Sequence, residues 1–164
     1  MLQLLQIVTL VLVAAAWAFA LAHAAEYPGK MRLDRDSYLT VQKIYYPGFT
    51  IGGASEPLAM VALIALIALA PADGSSFWLL AVALAAVLAT QAVFWLMTQP
   101  VNRVWPREQQ LGTAGARFFE TGPSAPSGDW KQHRDRWEMS HILRAALMSV
   151  ALILVAVALT NSVG

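Results

Sequence analysis

The chain has 164 residues, 58% of them hydrophobic and 13% charged, with a formal net charge of +1. That balance lies outside the range of ordinary soluble domains, and a net charge so close to zero gives no footing for a nucleic-acid partner. The absence of cysteine excludes disulfides, thiolate catalysis and cysteine-ligated metal centres together.

Four stretches, about 2–24, 51–70, 76–98 and 141–160, reach the roughly 20 apolar residues that a bilayer crossing needs. The expected fold is therefore all-α: a single-domain integral membrane four-helix bundle over residues 1–164, running up-down-up-down, with the lipid bilayer as its surroundings. The first stretch ends Leu21-Ala22-His23-Ala24-Ala25, similar to a secretory cleavage site. No positive residue precedes its apolar core, so it reads as a retained helix. Residues 25–50 follow as a loop in which Tyr27, Tyr38, Tyr45, Tyr46 and Phe49 read mostly as headgroup-level anchors. Gly52, Gly53, Ser55 and Glu56 dilute the start of the second stretch. There Ser55-Glu56-Pro57 has the order of a helix start: cap, acid in the first turn, proline at the first position. The short turn Pro71–Ser75 makes the second and third helices antiparallel neighbours.

On the third stretch Gln91, Trp95, Thr98 and Asn102 are spaced four, three and four apart, one helical face. Pro100 frees backbone carbonyls, expected near Ala92 to Trp95. Residues 101–140 form the second charged loop, with a Gly-, Pro- and Ser-rich surface part around Gly122–Gly128. Asp129 is placed to cap a helix running to Thr160, about 32 residues or roughly 48 Å. Such a helix overshoots the hydrocarbon core and extends into the cytoplasm. The eleven Lys and Arg fall in the two loops and at the edge of the last span, while Asp73 is the lone charge at the opposite end. By the positive-inside rule the charged loops are cytoplasmic and both termini lie on the outer side.

The fourth stretch repeats the polar pattern. Trp137, His141, Arg144 and Met148 are again spaced four, three and four, so an imidazole and a guanidinium share one face at the edge of a span. Ionisable groups there face protein or water and mark a functional site by default. With His23 ending the first helix and Glu56 opening the second, six polar groups from four helices converge at one end: His23, Glu56, Thr98, Asn102, His141 and Arg144. Plainer roles stand beside this reading. Asn102 and Thr98 can hydrogen-bond between helices or cap a terminus, His23 can sit at headgroup level, and Glu56 can start a helix and pair with Arg144. Arg144 can snorkel to the headgroups, and Trp95 and Trp137 can simply pack.

Two motifs, Thr98-x-Pro100-Val101-Asn102-Arg103 and Arg136-Trp137-x-x-x-His141-x-x-Arg144, together with His23 closing the first helix, resemble the anthrone oxygenase-like family. These are small four-helix membrane proteins, most of unknown function. The family's usual Trp-x-x-Ser-Tyr stretch has no clear counterpart in the first loop, where Tyr45-Tyr46 is the candidate replacement. The resemblance implies a site between the Asn102 and His141 helix ends, and oxidation of an anthrone to an anthraquinone by dioxygen with no metal or flavin cofactor. In that chemistry His141, as a neutral imidazole, is the general base. Arg144 and Asn102 stabilise the oxyanion, and Trp95 and Trp137 sandwich the flat ligand, with Thr98, His23 and Glu56 completing its surroundings.

Two other classes compete with the oxygenase. One is a non-catalytic accessory subunit of a larger membrane protein complex, its polar cluster holding a lipid headgroup or partner loop. The other is a protein binding a quinone-like molecule or a metal through His23, His133 and His141. His133 and His141 lie eight residues apart and no HxxxH pair exists, which argues against a metal. An oxygenase requires a pocket between Trp95, Asn102 and His141, whereas a subunit requires His141 and Arg144 to be consumed by internal hydrogen bonds.

Overall fold

The computed structural model describes residues 1–72, 74–104, 121–124 and 127–161. Asp73, residues 105–120 and 125–126 of the second loop, and residues 162–164 lie outside the described residues. The described chain is helical: α1 (Leu2–Lys30), α2 (Arg35–Gln42), α3 (Gly48–Gly52), α4 (Ser55–Leu69), α5 (Ser75–Val93), α6 (Gln99–Asn102) and α7 (Trp130–Asn161). A 3₁₀ turn, Lys43–Tyr45, leads from α2 towards α3, and a π-helical turn, Phe94–Thr98, joins α5 to α6.

Four helical stretches are long and apolar enough to cross a membrane: Leu2–Lys30, Gly48–Leu69, Ser75–Asn102 and Trp130–Asn161. Each buries a narrow stripe. On α7 it runs Trp137, His141, Arg144, Met148, Ala151, Val155 and Ala158; on α1, Thr9, Val13, Ala16, Ala20 and His23. These three- and four-residue steps are the seam of a helix bundle, and the alanines let the backbones approach closely. The outward faces carry large apolar side chains, among them Val61, Ile64, Leu88 and Ile153, which suits lipid rather than water. The chain is a small multi-pass membrane protein.

α7 packs against both α1 and α5, and α4 fills the space between those two. Along α1 and α7 the contacts run in opposite order: the Trp17 indole donates to Ser149 Oγ at 2.9 Å, the His23 ring lies against His141, and Lys30 pairs with Glu138. α7 starts as expected, with Asp129 Oδ1 accepting from the Gln132 amide at 2.9 Å and Gln132 Oε1 accepting from the Asp129 amide.

The first charged segment is not a loop of anchors. α1 continues through Pro28 to Lys30, and Asp34 caps α2 by accepting from the Ser37 amide at 2.8 Å. Tyr38 and Tyr45 are buried, because each phenol has a carboxylate to donate to: Tyr38 to Glu138 Oε1 at 2.8 Å, and Tyr45 to Glu26 Oε2. Burial, reinforced by those carboxylates, pushes both phenols above their usual range and keeps them protonated donors.

Lys30 stands between the two acids, 3.0 Å from Glu138 and 3.4 Å from Glu26. It and Glu138 are both buried. Lys30→Met strands the Glu138 carboxylate, so it should cost about 3 kcal/mol, as expected for breaking a buried pair. The check is thermal unfolding in detergent, where a second change, Glu138→Gln, should recover part of the loss. An unchanged midpoint for Lys30→Met would show that the pair contributes nothing.

The second span departs from expectation at its start. Ser55 is not the N-cap; it is the first residue of α4, and its hydroxyl donates to the Gly52 carbonyl at 2.7 Å. The span is instead two helices, α3 and α4, meeting at Gly53 and Ala54. Gly52 is required there, since a Cβ on it would fall onto the ring of Phe19.

Candidate functional site

Proline chemistry shapes one wall. Pro100 cannot donate to the carbonyl four residues back, Leu96, and its ring crowds that turn. The chain responds with the π-helical turn, in which the Gln99 amide donates to Phe94 five residues back. The freed Leu96 carbonyl accepts from Arg136 Nη2 of α7 at 2.7 Å. The freed group is thus Leu96, one residue beyond the Ala92–Trp95 range expected from the sequence. The extra residue turns the end of this span, yet Gln91, Trp95, Thr98 and Asn102 still line one cavity.

That cavity has a volume of about 630 Å³ and lies between the α3–α4 junction, the π turn and the first half of α7. One polar group in its wall is a buried ion pair. Arg144 Nη2 donates to Glu56 Oε1, and the Gln91 amide donates to Glu56 Oε2 at 2.6 Å. Glu56 is 2% exposed, so it is far more than a helix-start residue. The Arg144 guanidinium also lies over the Phe94 ring at 5.2 Å.

The second polar group is a pair of imidazoles in contact, their planes tilted by 38°. His23 and His141 have ring centroids 4.1 Å apart, and both are buried. Arg144 Nη1 lies 3.5 Å from His141 Nδ1. His141 Nε2 and His23 Nδ1 have no hydrogen-bond partner among the described residues. Trp137 meets His141 edge-on at 4.1 Å, while Tyr45 and Phe49 pack on His23 at 4.5 and 4.4 Å.

The remaining candidates have structural bonds. Trp137 Nε1 donates to Asn102 Oδ1 at 2.8 Å, and Asn102 Nδ2 donates to Gln99 Oε1 at 3.2 Å. Asn102 therefore fixes the orientation of Trp137. Thr98 Oγ1 donates to Ser140 Oγ at 2.9 Å, tying the π turn to α7. Trp95 is 39% exposed and packs edge-on against Phe94.

All eight residues singled out from the sequence, His23, Glu56, Trp95, Thr98, Asn102, Trp137, His141 and Arg144, line this cavity, and His133 does not. Tyr45 and Phe49, which read from the sequence as headgroup anchors, also line the cavity; they come from two separate elements, the 3₁₀ turn and α3, so no spacing along one helix marks them. The sequence reading also missed Gln91 as the partner of Glu56. Among the described residues no three His, Asp or Glu side chains come together as a metal site.

A family model described as anthrone oxygenase matches residues 43–154. The chain belongs to the anthrone oxygenase family. The matched stretch takes in the π turn, the Glu56–Arg144 pair and His141, and begins after His23. For this anthrone oxygenase family member, no curated protein and no solved structure matches.

Proposed function

We propose that the protein is a cofactor-independent oxygenase that converts an anthrone, a hydrophobic polycyclic hydroxyaromatic, to its quinone with dioxygen. The observation that supports this is the cavity: about 630 Å³ is within the range that encloses a small organic ligand, and it sets two buried imidazoles among aromatic walls.

Family membership supplies the substrate class, and chemistry supplies the sequence of steps. His141 takes a proton from the anthrone methylene through the ring nitrogen that its tautomer leaves unprotonated. The resulting anion is electron-rich enough to pass an electron to dioxygen, and the radical pair closes to a peroxide at that carbon. The protonated base returns its proton to the peroxide. Removal of the second hydrogen from the same carbon then cleaves the O–O bond, leaving a carbonyl and, with that proton, one water. Arg144 keeps N–H groups beyond those given to Glu56, and these stabilise the oxyanion in a water-poor site. Asn102 acts here by holding Trp137 against the imidazoles, and Trp95 and Trp137 flank the ligand. The lysines and arginines favour a cytoplasmic position for this end of the bundle, with the termini outside.

The test is oxygen uptake by the detergent-purified protein with 1,8-dihydroxyanthrone. One dioxygen should be consumed per quinone formed, at a rate well above autoxidation in empty micelles. A rate no higher than the empty-micelle control overturns the oxygenase reading. The internal bonding of Arg144 to Glu56 and of Asn102 to Trp137 favours a second reading, a quinone- or lipid-binding accessory subunit. A stoichiometric partner on gentle purification, with no turnover, would identify it.

A further inference from the structure

Glu56 and Arg144 are the formally charged residues among the described ones that line the cavity, and they are bonded to each other. The pair is held rather than incidental. Gln91 takes the second carboxylate oxygen at 2.6 Å, and the two side chains are only 3% and 10% exposed. An isolated buried guanidinium would draw a ligand carboxylate strongly. Here that attraction is already satisfied by the protein's own acid. The Arg144 Nε–H has no hydrogen-bond partner among the described residues, so the guanidinium keeps donor capacity that Glu56 does not use.

We propose that Glu56 is a charge filter: by neutralising Arg144 within the cavity, it makes the site select uncharged polycyclic aromatics over carboxylated ones. This rests on reading the cavity as the site for the aromatic substrate. A ligand carboxylate would bring a second anion to one cation in a poorly solvated space, and such like-charge placement is strongly disfavoured. An uncharged hydroxyanthrone adds no net charge and finds a donor. The class of reaction that supplies the substrate must therefore deliver a ring system already free of its carboxyl group.

The experiment measures binding, not turnover. Quenching of tryptophan fluorescence, to which Trp95 and Trp137 at the cavity contribute, is titrated with 1,8-dihydroxyanthraquinone and with its 3-carboxylic acid at neutral pH. Both titrations are corrected for partition into empty non-ionic micelles. The neutral quinone should bind at least about tenfold more tightly. E56Q should shift that ratio about tenfold or more towards the acid, while E56D, which keeps the charge, should keep the preference. Equal affinities in the unaltered protein, or an unchanged ratio in folded E56Q, overturn the proposal. Should E56Q fail to fold, the ratio in the unaltered protein decides alone. Discrimination without anthrone turnover sinks the oxygenase reading and leaves the filter standing; turnover without discrimination does the reverse.

Discussion

Replacing His141 with alanine is expected to lower anthrone-dependent oxygen uptake by about a hundred- to ten-thousand-fold, the usual contribution of a positioned general base. On the proposed mechanism the imidazole is the proton acceptor. It is buried at 3% exposure, its Nε2 has no partner among the described residues, and Trp137 and His23 pack on its ring. The loss should appear in kcat more than in KM, because the proton transfer belongs to the chemical step. The control is the unfolding midpoint in detergent: a cavity beside His23 should cost only modest stability. Retained turnover in a folded His141→Ala protein would remove His141 as the base, and His23→Ala would then be the variant to compare. The His23 ring lies against His141, and its Nδ1 also has no hydrogen-bond partner among the described residues.

The second large effect concerns the fold. Arg144→Leu leaves Glu56, 2% exposed, with Gln91 as its remaining partner. Breaking a buried pair from one side costs about 3–5 kcal/mol, a substantial fraction of the stability of a typical domain. A marked fall in the unfolding midpoint is expected. The double change Glu56→Leu with Arg144→Met should recover most of it, since apolar replacements leave no stranded charge. A double variant no more stable than Arg144→Leu would show that the pair does more than balance its own charges. Activity should be lost in both, which separates the stabilising role of the pair from its place in the site.

The fold was legible from the sequence because a bilayer demands one thing of it. Every backbone group must be bonded internally over about 20 residues, so apolar length alone located all four spans. The α7 face was legible for a related reason. Trp137, His141, Arg144 and Met148 repeat at three and four, and a helix of 32 residues keeps that register without interruption. The Asp129 cap followed from local chemistry.

Positions where local rules yielded to tertiary contacts were not legible. Ser55 had the signature of an N-cap, but the chain breaks earlier, at Gly53 and Ala54, beside a Gly52 that lies too close to Phe19 to carry a side chain. Tyr38 and Tyr45 looked like interfacial anchors, yet they are buried because Glu138 and Glu26, distant in sequence from Tyr38 and Tyr45 respectively, accept from their hydroxyls. The sequence alone determined that this is a four-span membrane protein and which end carries its polar side chains, since periodicity and hydropathy are local properties. Only the tertiary structure decided that Glu56 neutralises Arg144, that Asn102 holds Trp137, and that two imidazoles meet, each with a nitrogen that has no hydrogen-bond partner among the described residues. Those outcomes depend on which side chains from different helices come within hydrogen-bonding distance, and no spacing along one helix contains that information.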